Sequence, residues 1–188
     1  MASSDDFTYR VKGSADQLAA CGIDALGALF DLTSNRLVRY AVTLTRNQHD
    51  AEDAVQTALV RVAREPALLR DVTSPWPYLL RMVRNEALII ARRQHRLTPV
   101  GDLSDLVRLP YVDELEQEET HLAVWSALRG LPADQAEVVV LKIWECMTFA
   151  EISKVLDVSP NTVASRYQYA IAKLTQRLLK AHDEVRHG

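Results

Sequence analysis

The side chains best suited to chemistry in this 188-residue chain form one basic and polar stripe near the C-terminus. They recur at offsets of 0, 3, 4, 7 and 11 residues, which places them on one face of an α-helix: Thr162, Ser165, Arg166, Tyr169 and Lys173. An arginine on such a face can donate two hydrogen bonds to guanine in the major groove, and hydroxyl groups can reach bases or phosphates. The stripe therefore predicts contact with duplex DNA, with a helical hairpin of an ordinary bundle as the alternative.

A second basic group lies on the segment 74–96, where several arginines accompany two aromatic residues, Trp76 and Tyr78. Arginines neutralise phosphates, and aromatic rings offer stacking surfaces to unpaired bases. The candidate DNA-binding side chains of this segment are Trp76, Arg81, Arg84, Asn85, Arg92 and Arg93. The alternative is a solvated helix face whose aromatic residues are core anchors.

Three carboxylates, those of Asp50, Glu52 and Asp53, could hold magnesium in a metal-dependent nuclease. Carboxylates at the start of a helix more commonly oppose the positive end of the helix dipole. The two cysteines, Cys21 and Cys146, belong to no C-x-x-C pair, and the histidines lack the i, i+4 spacing of a zinc helix. We therefore expect no enzyme, no catalytic residue, no metal and no cofactor.

The elements that position these residues are predicted to be helices throughout. Six glycines and seven prolines are few for a turn-dense β-sandwich, and apolar residues recur at helical spacing. Capping signals place helix starts at Ser74 with Pro75, at Thr148 with Glu151, and at Ser159, the last two forming a helix-turn-helix. The aliphatic runs are far shorter than the ~20 residues that span a bilayer, and residues 1–20 do not resemble a secretory signal. We expect a cytoplasmic protein without a membrane segment.

Charge divides the chain into segments although the net charge is only −3. Residues 36–96 carry 11 basic and 6 acidic side chains, whereas residues 97–119 carry 1 basic and 7 acidic side chains. The acidic segment also contains two prolines and a glycine, which is typical of an extended linker. The predicted fold is all-α, with two small helical domains at 23–96 and 120–188, an acidic linker at 97–119, and an N-terminal extension of unknown role at 1–22.

The motifs in this order resemble a bacterial RNA polymerase sigma factor of the small, extracytoplasmic-function (ECF) type. Residues 50–56 (DAEDAVQ) and 76–87 (WPYLLRMVRNEA) are similar to sigma domain 2. Residues 148–152 (TFAEI) and 161–166 (NTVASR) are similar to sigma domain 4. The resemblance covers about residues 24–180, and the ordered set is more specific than any single motif.

The resemblance implies a role for each group of residues. Asp53, Gln56 and Arg61 would bind the clamp of the largest polymerase subunit, and the second domain would bind the flap of the second-largest subunit. The residues named on 76–93 would bind or help open the −10 promoter element, and the 162–173 stripe would read the −35 element. The acidic linker would run through the polymerase, and an anti-sigma factor is a further possible partner.

Some positions depart from the family pattern. Thr57 occupies a commonly acidic position, Asp157 a usual glycine, and Ala164 and Ala172 commonly basic positions. Each missing cation removes a counterion-releasing contact, which predicts weaker binding at the −35 side. A stand-alone helix-turn-helix regulator is the alternative function, but it leaves the first domain without a role.

Overall fold

The computed structural model describes residues 4–70, 72–97 and 119–187. These residues form α-helices joined by turns and short 3-10 segments, with no β-strand among them, so the predicted all-α fold is confirmed. They divide into two compact units, the first within Met1–Val107 and the second within Arg108–Gly188. The predicted linker lies almost wholly outside the described residues, so its bounds stay a prediction.

The first unit contains four α-helices within the described residues: α1 (Ser4–Cys21), α2 (Leu26–Thr45), α3 (Gln48–Arg64) and α4 (Pro75–Leu97). Short 3-10 segments, Gly22–Ala25 and Pro66–Leu69, follow α1 and α3. Helices α2, α3 and α4 pack on one another through a fully buried core that includes Leu37, Tyr40, Ala54, Val62, Leu79, Leu80 and Val83. This apolar core orients the outer faces of α3 and α4, which carry the candidate binding residues.

Helix α1 was not predicted, although its sequence contains a signal for it. Phe7, Val11, Ala15 and Leu18 recur at offsets of 0, 4, 8 and 11 and are all buried. The helix packs on α2, on α4 and on the 3-10 segment Pro66–Leu69. Helix α1, Ser4–Cys21, therefore belongs to the packed first unit.

Local capping explains where α3 begins. Arg46 ends α2 with a left-handed backbone (φ 57°), and the next residue, Asn47, is extended. The side-chain oxygen of Asn47 accepts a hydrogen bond from the backbone N–H of Asp50 at 3.1 Å. The Asp50 carboxylate accepts from the Gln94 side-chain amide at 3.0 and 3.1 Å. The start of α3 is thus tied to the end of α4.

The second unit contains α5 (Glu119–Arg129), α6 (Ala133–Ile143), α7 (Phe149–Leu156) and α8 (Pro160–His187). One core cluster joins α5, α6 and α8: Ala127, Leu128, Leu131, Ala136, Val139, Ala170 and Leu174. Helix α7 packs mainly on α8 and also touches α6. Arg177 of α8 donates to the carbonyl oxygen of Ala127 at 3.2 Å and lies directly against the Cα of Gly130, where a larger residue would displace it.

The predicted helix-turn-helix is confirmed in its local detail. Thr148 and Glu151 form a reciprocal capping box at the start of α7. Asp157 ends that helix in the left-handed region (φ 57°, ψ 48°), and the Ser159 hydroxyl accepts from the backbone N–H of Thr162 at 3.1 Å. Hydrogen bonds from Thr148 hold the pKa of the Glu151 carboxyl below its usual value. The turn therefore fixes how α8 leaves α7.

Candidate functional site

The predicted stripe on α8 lies about 110° around the helix from its core-facing side. Val163 and Ala170 are fully buried, whereas Ser165 and Lys173 are exposed and Tyr169 is 66% exposed. Thr162 is half-buried, and its hydroxyl lies 2.9 Å from the Ser159 hydroxyl. The helix thus presents polar and aromatic side chains to solvent along several turns.

Two cationic side chains of this stripe contact the first turn of α6. The Arg166 Nε atom lies 3.2 Å from Asp134 Oδ2. The Lys173 ammonium donates a hydrogen bond to Gln135 Oε1 at 3.1 Å. Asp134 and Gln135 lie 32 and 38 residues before their partners, and no motif in the sequence marked them as part of the site.

The candidate DNA-binding residues of α4 do not share one surface. Arg81, Asn85 and Arg92 are exposed at offsets of 0, 4 and 11, which places them on one stripe, and half-buried Arg84 lies beside it. Arg93 is about 100° away from this stripe around the helix and lines a groove between α3 and α4. The arginines of α4 therefore serve two different faces.

Trp76 lies in the interior of the first unit and is only 2% exposed. Its ring meets the Phe7 ring edge-on at 4.9 Å, and the Arg36 guanidinium lies 3.6 Å from the Phe7 ring centre and 5.4 Å from that of Trp76. The indole Nε1 atom is buried without a hydrogen-bond partner among the described residues. This placement is that of the core anchor considered as the alternative, and base contact by Trp76 stays a prediction.

The residues predicted to bind polymerase lie along the exposed side of α3. Asp53, Gln56 and Arg61 are all exposed, and Gln56 lines two open grooves on this surface. One groove, of about 540 Å³, is lined by Gln56, Thr57, Val60, Arg61, Arg64 and Glu65. The other, of about 450 Å³, is lined by Asp53, Gln56, Thr57, Glu86, Ile89, Ile90 and Arg93. We call these lining residues together the α3 surface.

Two apolar residues of the α3 surface were missed by the sequence analysis. Val60 is 47% exposed and Ile89 is 41% exposed, so each presents hydrocarbon to solvent among charged neighbours. Each is an apolar residue that lies outside the buried stripe of its helix. An apolar residue outside the helical period of the core is the sequence signal that could have identified it. Exposed apolar side chains within a charged rim are typical of a protein-binding surface.

The carboxylates considered for a nuclease have other contacts. Asp50 accepts hydrogen bonds from the Gln94 amide, and Glu52 accepts one from the Gln48 side chain at 2.7 Å. The third carboxylate, that of Asp53, has its Oδ2 atom 3.8 Å from His49 Nε2. Within the described ranges, no group of three or more histidine, cysteine, aspartate or glutamate side chains is arranged to hold a metal ion. No helix among those residues is long and apolar enough to cross a membrane.

Comparison with known families matches both units. The family described as Sigma-70 region 2 matches residues 29–97, and the family described as Sigma-70, region 4 matches residues 121–174. The ECF RNA polymerase sigma factor SigL of Mycobacterium tuberculosis is 31% identical over 168 residues, which cover 88% of this chain and 93% of SigL. The chain belongs to the ECF family of RNA polymerase sigma factors.

Further relatives agree with this assignment. The ECF sigma factor SigM of Mycobacterium tuberculosis is 32% identical over 154 residues, or 82% of this chain and 77% of SigM. The solved structure of CnrH with the cytosolic domain of CnrY has a TM-score of 0.61 at 25% identity, over 90% of this chain and 97% of that chain. The sigma factor RpoE of Bartonella quintana, solved with the anti-sigma factor NepR, shares the fold with a TM-score of 0.59 at 22% identity, over 77% and 89% of the two chains.

As an ECF sigma factor, the protein directs promoter-specific transcription. The alternative of a stand-alone helix-turn-helix regulator is not favoured, because the region 2 match covers the unit that this alternative leaves without a role. Sigma factors are regulatory and non-catalytic proteins, which is consistent with the expectation that the chain is not an enzyme.

Proposed function

We propose that the first unit binds the polymerase clamp through the α3 surface and the −10 promoter element through the exposed stripe of α4. The second unit reads the −35 element through α8. The observation that supports this division best is the split of the α4 arginines, because Arg93 lines the groove with Asp53 and Gln56 while Arg81 and Arg92 lie on another stripe. Polymerase and DNA can then bind the same helix at once.

The α3 surface suits a protein partner with mixed chemistry. Val60 and Ile89 supply apolar area that binding removes from water, while Asp53, Arg61 and Arg93 supply charges that select the orientation. Exposed charges of both signs give specificity and association rate more than affinity. The apolar residues should therefore supply much of the binding free energy.

The exposed stripe of α4 suits the phosphate backbone and separated bases. Arg81 and Arg92 can neutralise phosphates, and the Asn85 amide can both donate to and accept from a base edge. Strand separation costs a few kcal/mol for each unstacked base, and capture of a separated strand offsets part of that cost. This helix therefore favours the open form of the promoter by binding it more tightly than the duplex.

Assembly with core RNA polymerase tests the clamp role. The double variant Asp53→Ala with Gln56→Ala should weaken holoenzyme formation by roughly 10-fold, because a cationic partner of Asp53 would be left unpaired and Gln56 lines both grooves. The matched control is Glu52→Ala, because Glu52 is exposed on the same helix but does not line either groove. Equal affinity of the double variant and the control, measured by titration with labelled core enzyme, would contradict the proposal.

We also propose a protein regulator of the anti-sigma type and action in the cytoplasm, where bacterial polymerase works. RpoE of Bartonella quintana was solved with an anti-sigma factor, and CnrH with the cytosolic domain of CnrY. In this chain the α3 surface offers exposed apolar residues that such a regulator could cover. Once a regulator has been captured with this protein, its competition with core polymerase can be measured for wild type and for the Asp53→Ala and Gln56→Ala variants. If the regulator and the polymerase share the α3 surface, each variant should weaken the binding of both.

A further inference from the structure

The first turn of α6 holds two of the side chains on the surface that we propose for upstream DNA. Asp134 contacts Arg166, and the next residue, Gln135, contacts Lys173. Arg166 and Lys173 are seven residues apart, about two turns of α8. One short segment outside α8 therefore holds two side chains of the proposed DNA-binding stripe.

We infer that Asp134 is a positioning residue that sets the base preference of Arg166. The inference rests on the proposed function of Arg166 at the −35 element and adds a residue to it. Asp134 is not itself expected to read a base, because it acts by holding the guanidinium in one orientation.

The contacting atoms leave the reading edge of the arginine available. Asp134 Oδ2 lies 3.2 Å from Nε, so the carboxylate occupies the inner edge of the guanidinium. An arginine has five N–H donors, and an ion pair at the Nε edge engages the one on that side. The two terminal nitrogens keep their four hydrogens, and bidentate recognition of guanine O6 and N7 needs only two donors.

Orientation before binding favours discrimination between bases. A free arginine side chain samples many rotamers and must lose that freedom when it binds one base edge. A guanidinium that is already held loses less, so more of its interaction free energy appears as affinity for the correct base. A freely rotating arginine also reaches neighbouring phosphates, which carry no sequence information.

The charge of Asp134 has a separate effect. Its side chain is 48% exposed beside Arg166, so its carboxylate would repel the phosphates of DNA bound there. This repulsion weakens binding to every sequence alike and cancels in the difference between two affinities. Specificity depends on that difference, so it is the orientation of the held arginine that increases it.

A purely structural role explains the pair less well. Both side chains are partly exposed, and such ion pairs contribute little to stability. The contact between α6 and α8 is already provided by the apolar cluster that includes Ala136, Val139, Ala170 and Leu174. The packing of the second unit therefore does not depend on the pair.

The test measures base preference at each upstream position. Holoenzyme made with bacterial core polymerase and full-length protein selects from promoter DNA randomised over the upstream element, for wild type, Arg166→Ala, Asp134→Ala and the double variant. Asp157→Asn is the matched control, because it removes one exposed carboxylate from the same unit and asparagine tolerates the left-handed backbone there. Asp134→Asn removes the charge but keeps an acceptor for Nε, and thermal melting of each variant checks folding.

We expect Arg166→Ala to abolish the base preference at one upstream position. Asp134→Ala should reduce the preference at the same position by roughly 3- to 10-fold, which is part of the discrimination that a bidentate arginine–guanine pair gives. Asp134→Asn should fall between wild type and Asp134→Ala. In the Arg166→Ala background the aspartate change should have no further effect on that preference.

Other results overturn the inference in distinguishable ways. If Arg166→Ala abolishes the preference while Asp134→Ala behaves like Asp157→Asn, Arg166 reads the base and Asp134 does not position it. If Arg166→Ala leaves every position unchanged, the proposed role of Arg166 itself fails. If Asp134→Ala alters several positions equally and lowers the melting temperature, its role is structural.

Discussion

The two helices that we propose to bind DNA, α4 and α8, present their cationic side chains in different ways. On α8 the Arg166 and Lys173 side chains are held by the first turn of α6, and Thr162 is bonded to the capping Ser159. On α4 the exposed stripe of Arg81, Asn85 and Arg92 points into solvent, while the aromatic Trp76 is buried under α1.

This difference fits the two forms of DNA that a promoter presents. The upstream element stays a duplex of nearly fixed shape, so side chains held in advance can match it. A separated strand has no fixed shape, and exposed arginines can follow it by adjusting to its phosphates. We therefore predict sequence-dependent effects from α8 and sequence-independent effects from Arg81 and Arg92, the two arginines of the α4 stripe.

The largest expected effect comes from Trp76, whose burial is the clearest difference between α4 and α8. Trp76→Ala should lower the free energy of unfolding of the first unit by about 3–5 kcal/mol, because it removes a buried ring packed against Phe7 and Arg36. Urea unfolding followed by circular dichroism measures this loss. Trp76→Phe, which keeps much of the apolar volume, should recover part of it.

The opposite outcome for Trp76 would change the comparison. If Trp76→Ala is as stable as wild type but fails to open promoters, the indole serves DNA and α1 must move away from it. Potassium permanganate footprinting of melted thymines on a promoter that wild type opens gives the second readout.

A smaller effect is expected on DNA binding, whose salt dependence should differ between variants of α4 and variants of α8. Arg81→Ala with Arg92→Ala should weaken holoenzyme binding to all promoters alike and reduce the slope of log affinity against log salt by about 1 for each lost phosphate contact. Arg166→Ala should instead weaken matched promoters by about 1–3 kcal/mol while leaving mismatched ones nearly unchanged. Binding titrations at several salt concentrations with both promoter types measure the two quantities. If both variants show the same pattern, the proposed difference between α4 and α8 is wrong.

Much of the local structure could be predicted because its causes lie within a few residues. The Thr148–Glu151 capping box, the left-handed Asp157 and the Ser159 cap each involve partners no more than four residues apart. Donors and acceptors that close are fixed by the helix geometry itself, so the residue types predict the contact.

The candidate site was less predictable because its contacts are distant in sequence. The environment of Trp76 depends on Phe7, 69 residues earlier, and that of Arg166 on Asp134, 32 residues earlier. The side of α4 on which Arg93 lies could be found from its angle on the helix, but the groove it lines exists only because α3 packs beside it. Residue type therefore predicted the chemistry, and tertiary packing decided which surface carries it.

A still smaller effect concerns the pH dependence of the turn that orients α8. Hydrogen bonds from Thr148 lower the pKa of Glu151 in the folded state, so its contribution to stability is present above the unfolded glutamate pKa of about 4.3. It is lost as the pH falls through the lower folded value. Glu151→Gln keeps the capping bond but not the charge, so it should cost about 0.3–1 kcal/mol at neutral pH.

Thermal unfolding of wild type and Glu151→Gln between pH 3 and pH 7 measures that dependence. The difference in stability should shrink towards zero at the acid end. A difference that is constant across the range would show that the carboxylate charge contributes nothing to the capping box.

The smallest expected effect is that of Asp157→Gly, because the backbone rather than the side chain sets the geometry of the turn at this position. Its φ of 57° disfavours residues with a Cβ, although aspartate tolerates this region better than most. Asp157→Gly removes the Cβ penalty but increases the entropy of the unfolded chain, so we expect a net stabilisation of about 0.5 kcal/mol or less. Asp157→Ala, which keeps the penalty and loses the polar side chain, should destabilise by about 1 kcal/mol. The opposite order of the two variants in chemical unfolding would show that the aspartate side chain, and not the freedom of the backbone, holds α7 and α8 at their present angle.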